Sequence, residues 1–97
     1  ADRLRLHESL VQVNIALGRA DEASKHADES VRIVDSMKPP SNYYRLYALT
    51  ARSDARQASG DLAGALADAQ QVRDLQKVTF NEEQAAKLAE LEERYGR

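Results

Sequence analysis

The chain has 97 residues, 42% hydrophobic and 5% aromatic, so one domain, or part of one, must build its core from Leu, Val, Ile and Ala. Two prolines and four glycines suit an all-helical fold, and the absence of cysteine excludes a disulfide framework and a thiolate metal site. A formal net charge of −2 and a pI near 5.7 argue against a surface that tracks nucleic-acid phosphates.

The first helix is expected over residues 3–17. Leu6, Leu10, Val13 and Leu17 form one apolar stripe, and Leu4, Val11 and Ile15 form a second beside it. A face this wide predicts contact on two sides. Gly18 ends the helix, taking the left-handed conformation.

The second helix should run from Ala20 or Asp21 to Ser36, with Ala23, Ala27, Val31 and Val34 inward and Ile33 and Met37 extending that face. Asp21–Lys25 and Asp28–Arg32 are acid-before-base pairs, each worth ~0.3 kcal/mol on an exposed face. Pro39 and Pro40 stop the helix, because neither supplies an N–H and the first disfavours helical backbone at Lys38.

Ser41 or Asn42 caps a third helix reaching Ser59, with Tyr44, Tyr47, Ala48, Ala51, Ala55 and Ala58 along one stripe. Gly60 ends it and Asp61 caps the fourth, whose inward positions are Leu62, Ala65, Leu66, Ala69 and Val72, ending near Gln76. A break at residues 77–80 is expected before a fifth helix. Asn81 with Gln84 has the capping-box pattern, and Phe80 can act as a hydrophobic staple. Leu88, Leu91 and Tyr95 make a narrow seam on that helix, flanked by the acid–base pairs Glu83–Lys87 and Glu90–Arg94.

Gly18-Arg19-Ala20-Asp21-Glu22-Ala23 and Gly60-Asp61-Leu62-Ala63-Gly64-Ala65 repeat one arrangement. These turns resemble tetratricopeptide (TPR) repeats, in which a glycine ends helix A and an alanine five positions later packs between helices A and B. Leu10 and Ala27 match further core positions of the first repeat. The family period is ~34 residues, so these units are longer, and Arg52 stands where the second repeat usually has leucine. The resemblance implies an all-α array of antiparallel helical hairpins in a right-handed superhelical stack. It would hold about five helices: hairpin 1 over residues 1–38, hairpin 2 over 41–77, and a terminal capping or signalling helix over 80–97. Residues 80–95 also resemble the segment that closes the TPR array of bacterial membrane-anchored signalling proteins, whose output domain is a diguanylate cyclase (GGDEF) or a histidine kinase.

For function the expectation is binding, not catalysis. His7-Glu8-Ser9-Leu10-Val11 begins like a zinc-protease helix but carries Val11 where the second histidine is required. His7 and His26 therefore read as ordinary surface or interface residues. No Glu-x-x-His occurs to supply a carboxylate-metal bundle, and most carboxylates belong to solvated helix faces. No enzyme activity, cofactor or metal is expected of this chain. The TPR resemblance implies a concave groove lined by Arg5, Glu8, Gln12 and Ile15 from one helix A and by Tyr43, Tyr47, Thr50, Asp54 and Gln57 from the next. Glu8 and Gln12 occupy two places where a clamp for chaperone tails needs basic and asparagine side chains, so that ligand is not expected. A protein or peptide is the expected partner, with a homodimer through Leu88, Leu91 and Tyr95, and neither nucleic acid nor membrane contact. No run approaches the ~20 apolar residues that span a bilayer, and no signal peptide is present. Because the chain opens on Ala1, it reads as a fragment of a longer protein. The compartment implied is the periplasmic side of a bacterial inner-membrane protein, with a cytoplasmic adaptor as the other reading.

Overall fold

The computed structural model describes residues 2–96. Ala1 and Arg97, the outer ends of the expected first hairpin and terminal helix, lie outside the described residues. Four helices account for nearly all of the rest: α1 (Asp2–Ala16), α2 (Ala20–Asp35), α3 (Asn42–Ser59) and α4 (Leu62–Tyr95). Consecutive helices pack against each other, and α1 also touches α3.

Both glycine turns close in the same way. Gly18 and Gly60 have φ of +73° and +89°. At the first turn the Arg19 N–H donates to the Asn14 carbonyl at 2.7 Å and the Gly18 N–H to Ile15 at 3.1 Å. At the second, Asp61 donates to Arg56 at 2.9 Å and Gly60 to Gln57 at 3.2 Å. This pair of bonds is the Schellman arrangement, which satisfies the last carbonyls of a helix and requires the left-handed residue. The starts of the following helices differ. Asp61 accepts from the Gly64 N–H at 3.0 Å and Ser41 from Tyr44 at 3.2 Å. The residue preceding α2 is Arg19, whose side chain makes no capping bond.

The core has two parts. Leu4, Val31, Val34, Ala48 and Leu49 form one cluster, against which Ile33, Met37, Tyr44, Val72 and Leu75 pack. Val11, Ala23, Ala27, Ala51 and Ala55 form the other, with Ile15 beside it. Alanine at most of these positions lets three helices approach closely around Val11. The buried polar side chains of the first two helices are satisfied within their own helix. Asn14 donates to the Leu10 carbonyl at 2.7 Å and Ser30 to His26 at 3.1 Å.

Several expectations need correction. The fifth helix does not exist as a separate element: α4 runs for 34 residues through the expected break. Nothing at residues 77–80 lacks an N–H or favours a left-handed backbone, and the Thr79 hydroxyl turns back to the Leu75 and Gln76 carbonyls at 3.0 and 3.1 Å. The ladder therefore continues and the capping-box pattern at Asn81 is not used. On α1 the second stripe is the packed one. Leu6, Val13 and Leu17 are 57%, 53% and 60% exposed, because α2 and α3 lie on the other side. On α4, Leu62, Leu66 and Ala69 face solvent, while Ala65 and Asp68 are buried. Tyr47 and Ala58 are exposed on α3, and Leu49, outside the expected stripe, is buried. On α2 the surface ion pairs are Glu22–Lys25 and Glu29–Arg32, three apart, and not the two pairs expected four apart.

Asp68 is fully buried and paired. The Arg52 guanidinium binds it with Nε to Oδ2 at 3.0 Å and Nη2 to Oδ1 at 2.8 Å, and Arg56 Nη1 adds a third bond at 2.9 Å. Hydrogen bonding to Asp68 holds Arg52 above its ordinary value, against the opposing effect of burial. Ser53 donates to the Ala65 carbonyl at 2.8 Å in the same interface. Polar bonds thus join α3 to α4 where alanine-rich faces offer little apolar area.

From residue 81 onward every described side chain on α4 is exposed. The twelve residues 84–95, past the last that line a cavity with α3, correspond to ~18 Å of overhanging helix at 1.5 Å per residue. This overhang gives the molecule its long axis of 59 Å against 27 and 21 Å. No described helix is long and apolar enough to cross a membrane.

Candidate partner-binding groove

Arg5, Glu8, Gln12 and Ile15 recur at helical intervals of three and four on α1, and Tyr43, Tyr47, Thr50, Asp54 and Gln57 do so on α3. Each set shares one face of its helix. Because α1 and α3 touch, the two faces form adjoining walls of a channel of three cavities in series. The first, about 270 Å³, is lined by Leu4, Arg5, Glu8 and the three tyrosines 43, 44 and 47. The second, about 200 Å³, holds Glu8, Gln12, Tyr47, Thr50, Ala51 and Asp54. The third, about 340 Å³, holds Gln12, Ile15, Asp54, Gln57 and Ala58.

One bond crosses the channel, from Gln12 Nε2 to Asp54 Oδ2 at 3.3 Å. Its two residues are 42 positions apart in the chain. Gly18 and Gly60 have the same separation, and so do Ala23 and Ala65. Gln12 and Asp54 thus each lie six residues before the glycine that ends their helix, and they stand side by side.

The tyrosine end has distinctive electrostatics. The Tyr43 ring meets Tyr44 edge-on at 5.4 Å and Tyr47 at 4.9 Å between centroids. Tyr43 is raised above the ordinary phenol value, first by hydrogen bonding with the Tyr47 hydroxyl, with Glu8 adding in the same sense and Arg5 opposing. Burial pushes the Glu8 carboxyl up, and the nearby Arg5 charge partly offsets this. Glu8 Oε1 is closed off from solvent and accepts no hydrogen bond.

A further cavity of about 390 Å³ opens behind the tyrosines, between α3 and α4, lined by Tyr43, Leu46, Tyr47, Thr79, Glu82 and Glu83. Sequence reasoning missed this wall because it put a helix break at residues 77–80. Once α4 is continuous, Glu82 and Glu83 stand three and four positions after Thr79, on its face. Tyr44 was expected in the core; it is half-buried and belongs to both core and cavity.

The seam residues Leu88, Leu91 and Tyr95 lie apart from the groove on the α4 overhang, 59%, 39% and 72% exposed. His7 and His26 meet between α1 and α2, with Nδ1 atoms 2.9 Å apart, a bond that needs one ring to carry the proton and the other to accept. Among the described residues no three His, Cys, Asp or Glu side chains converge as a metal site would require. Compared with protein-family models, curated proteins and solved structures, the chain matches none of them.

Proposed function

We propose that this chain is a non-catalytic interaction module, a TPR-like array of two helical hairpins from a bacterial signalling protein. Its groove binds a protein or peptide segment, and the α4 overhang carries the change to an output domain, a diguanylate cyclase or a histidine kinase. The carrying observation is the Gln12–Asp54 bond, which puts residues 42 apart in register across adjoining groove walls. The twice-used glycine cap and the neighbour-to-neighbour packing support the same reading. A groove with exposed tyrosines and mixed polar walls has the composition of a recognition surface.

Selection of random peptides displayed on phage tests the groove. Peptides enriched on the wild-type protein are expected to lose binding to a Tyr47→Ala/Gln57→Arg variant and to keep it for Leu62→Ala, which lies away from the groove. Failure to enrich any peptide, or enrichment indifferent to the groove changes, would refute a groove-binding role.

The overhang has its own test. Analytical ultracentrifugation is expected to find a concentration-dependent dimer that Leu88→Ala/Leu91→Ala abolishes. Since these side chains lie outside both core clusters and are 59% and 39% exposed on the overhang, the same change should leave the stability of the monomer within ~0.5 kcal/mol of wild type. A monomer at all concentrations would remove the relay and leave a free-standing soluble adaptor.

A further inference from the structure

We propose that the tyrosine end of the groove is a receptor for a basic side chain, a lysine or arginine of the bound segment, held by Glu8 and ringed by Tyr43, Tyr44 and Tyr47. This deepens the groove-binding reading and rests on it.

Three observations carry the proposal. Glu8 Oε1 is shut away from water and has no donor. A carboxylate oxygen in that state is costly; Glu8 lines the cavity, and a turn of its side chain that opens Oε1 to an ammonium or guanidinium there gains both the missing donor and the opposite charge. Second, the rings of three tyrosines surround the same cavity of about 270 Å³. Aromatic faces attract cations and their hydroxyls add acceptors, so the wall suits a charged head on an apolar stem. Third, the charge nearby is unbalanced. Asp54 lies in the cavity on one side, and Glu82 and Glu83 in the cavity on the other. Among the described residues, Arg5 is the one cation lining any of these three cavities. It makes no ion pair within 4.0 Å with Glu8, so the carboxylate is free for a partner's cation while Arg5 competes with it.

The channel's continuation through Gln12, Ile15, Asp54 and Gln57 makes the natural ligand a chain and not a free small cation. A partner segment would lie along α1 and α3 with one basic residue turned into the tyrosine end.

The experiment uses three synthetic octapeptides of glycine and serine with a single central lysine, arginine or norleucine. Norleucine keeps the stem of lysine without its charge. Binding to the full chain is followed by NMR, reading the resonances of Tyr43, Tyr44 and Tyr47. The lysine and arginine peptides are expected to give saturable shifts there, with norleucine about tenfold weaker or more, the factor expected for one hydrogen bond to a charged group. Glu8→Gln, checked for retained helicity by circular dichroism, should erase the lysine-over-norleucine preference, and Arg5→Ala should tighten lysine binding. Equal binding by norleucine, or no saturable shift from either cationic peptide, would overturn the proposal. The phage selection separates the two readings: groove-dependent peptides without Lys or Arg would sink the basic-residue receptor alone. An absence of groove-dependent peptides would sink the groove itself.

Discussion

Asp68→Ala is expected to destabilise the protein by about 3 kcal/mol, the lower end of the range for removing one partner of a buried ion pair. Asp68 has no exposed surface and accepts three hydrogen bonds from Arg52 and Arg56. Removing it leaves Arg52 with no carboxylate and Arg56 with only Asp61, 3.9 Å from its Nε. Their side chains are 20% and 29% exposed, so each can recover part of its hydration, which sets the loss at the lower end. Against a total of ~5–15 kcal/mol for a domain, that shift is plainly visible in urea denaturation followed by helical circular dichroism. Arg52→Met combined with Asp68→Leu is expected to recover most of the loss, since well-packed apolar replacements of a buried pair are often neutral. A change below ~1 kcal/mol for Asp68→Ala would mean that the α3–α4 interface is held by its alanine contacts instead.

That pair also marks a limit of reading this chain from hydropathy. Periodicity finds α1, α2, α3 and the start of α4 because glycine caps, two prolines and the side-chain caps Ser41 and Asp61 leave the backbone few alternatives. It cannot find a buried Asp68, since an aspartate counts as outward until its cations are placed on a neighbouring helix. The same blindness moved Leu62 and Leu66 inward, although α3 does not cover their side of α4. The missed continuity of α4 has another cause. Asn81 and Gln84 carry a start signal, but residues 81–95 are rich in Ala, Glu, Lys, Leu and Arg, good helix formers, and no proline or glycine lies between Gly64 and Gly96. A cap pattern marks a start only where the preceding ladder has been broken. The candidate groove residues came from the TPR resemblance and not from hydropathy. Intervals of three and four place each set on a single face of α1 or α3, and the Gln12–Asp54 bond joins those faces. Glu82 and Glu83 were missed because the break expected at residues 77–80 hid that they follow Thr79 on one face of a continuous α4.

Leu49→Ala is expected to cost about 2–5 kcal/mol, whereas Leu17→Ala, just past the end of α1, should stay within ~0.5 kcal/mol of wild type. The contrast tests which apolar residues build the core. Leu49 is 1% exposed and shares its cluster with Leu4 from α1, Val31 and Val34 from α2, and the flanking Val72 and Leu75 from α4. A single side chain on α3 therefore sits where all four helices meet. Truncation removes the burial of three carbons and leaves a cavity that helices already spaced by alanine cannot easily close. Leu17, by contrast, is 60% exposed. Thermal and urea unfolding of both variants, monitored by circular dichroism, make the comparison. Equal losses would show that α1 packs through its Leu6–Leu17 stripe in solution, which would reverse the face on which the groove is built. A large loss for Leu49 alone fixes α1 with Leu4 and Val11 inward, and with them the direction in which Arg5, Glu8 and Gln12 meet the tyrosines of α3.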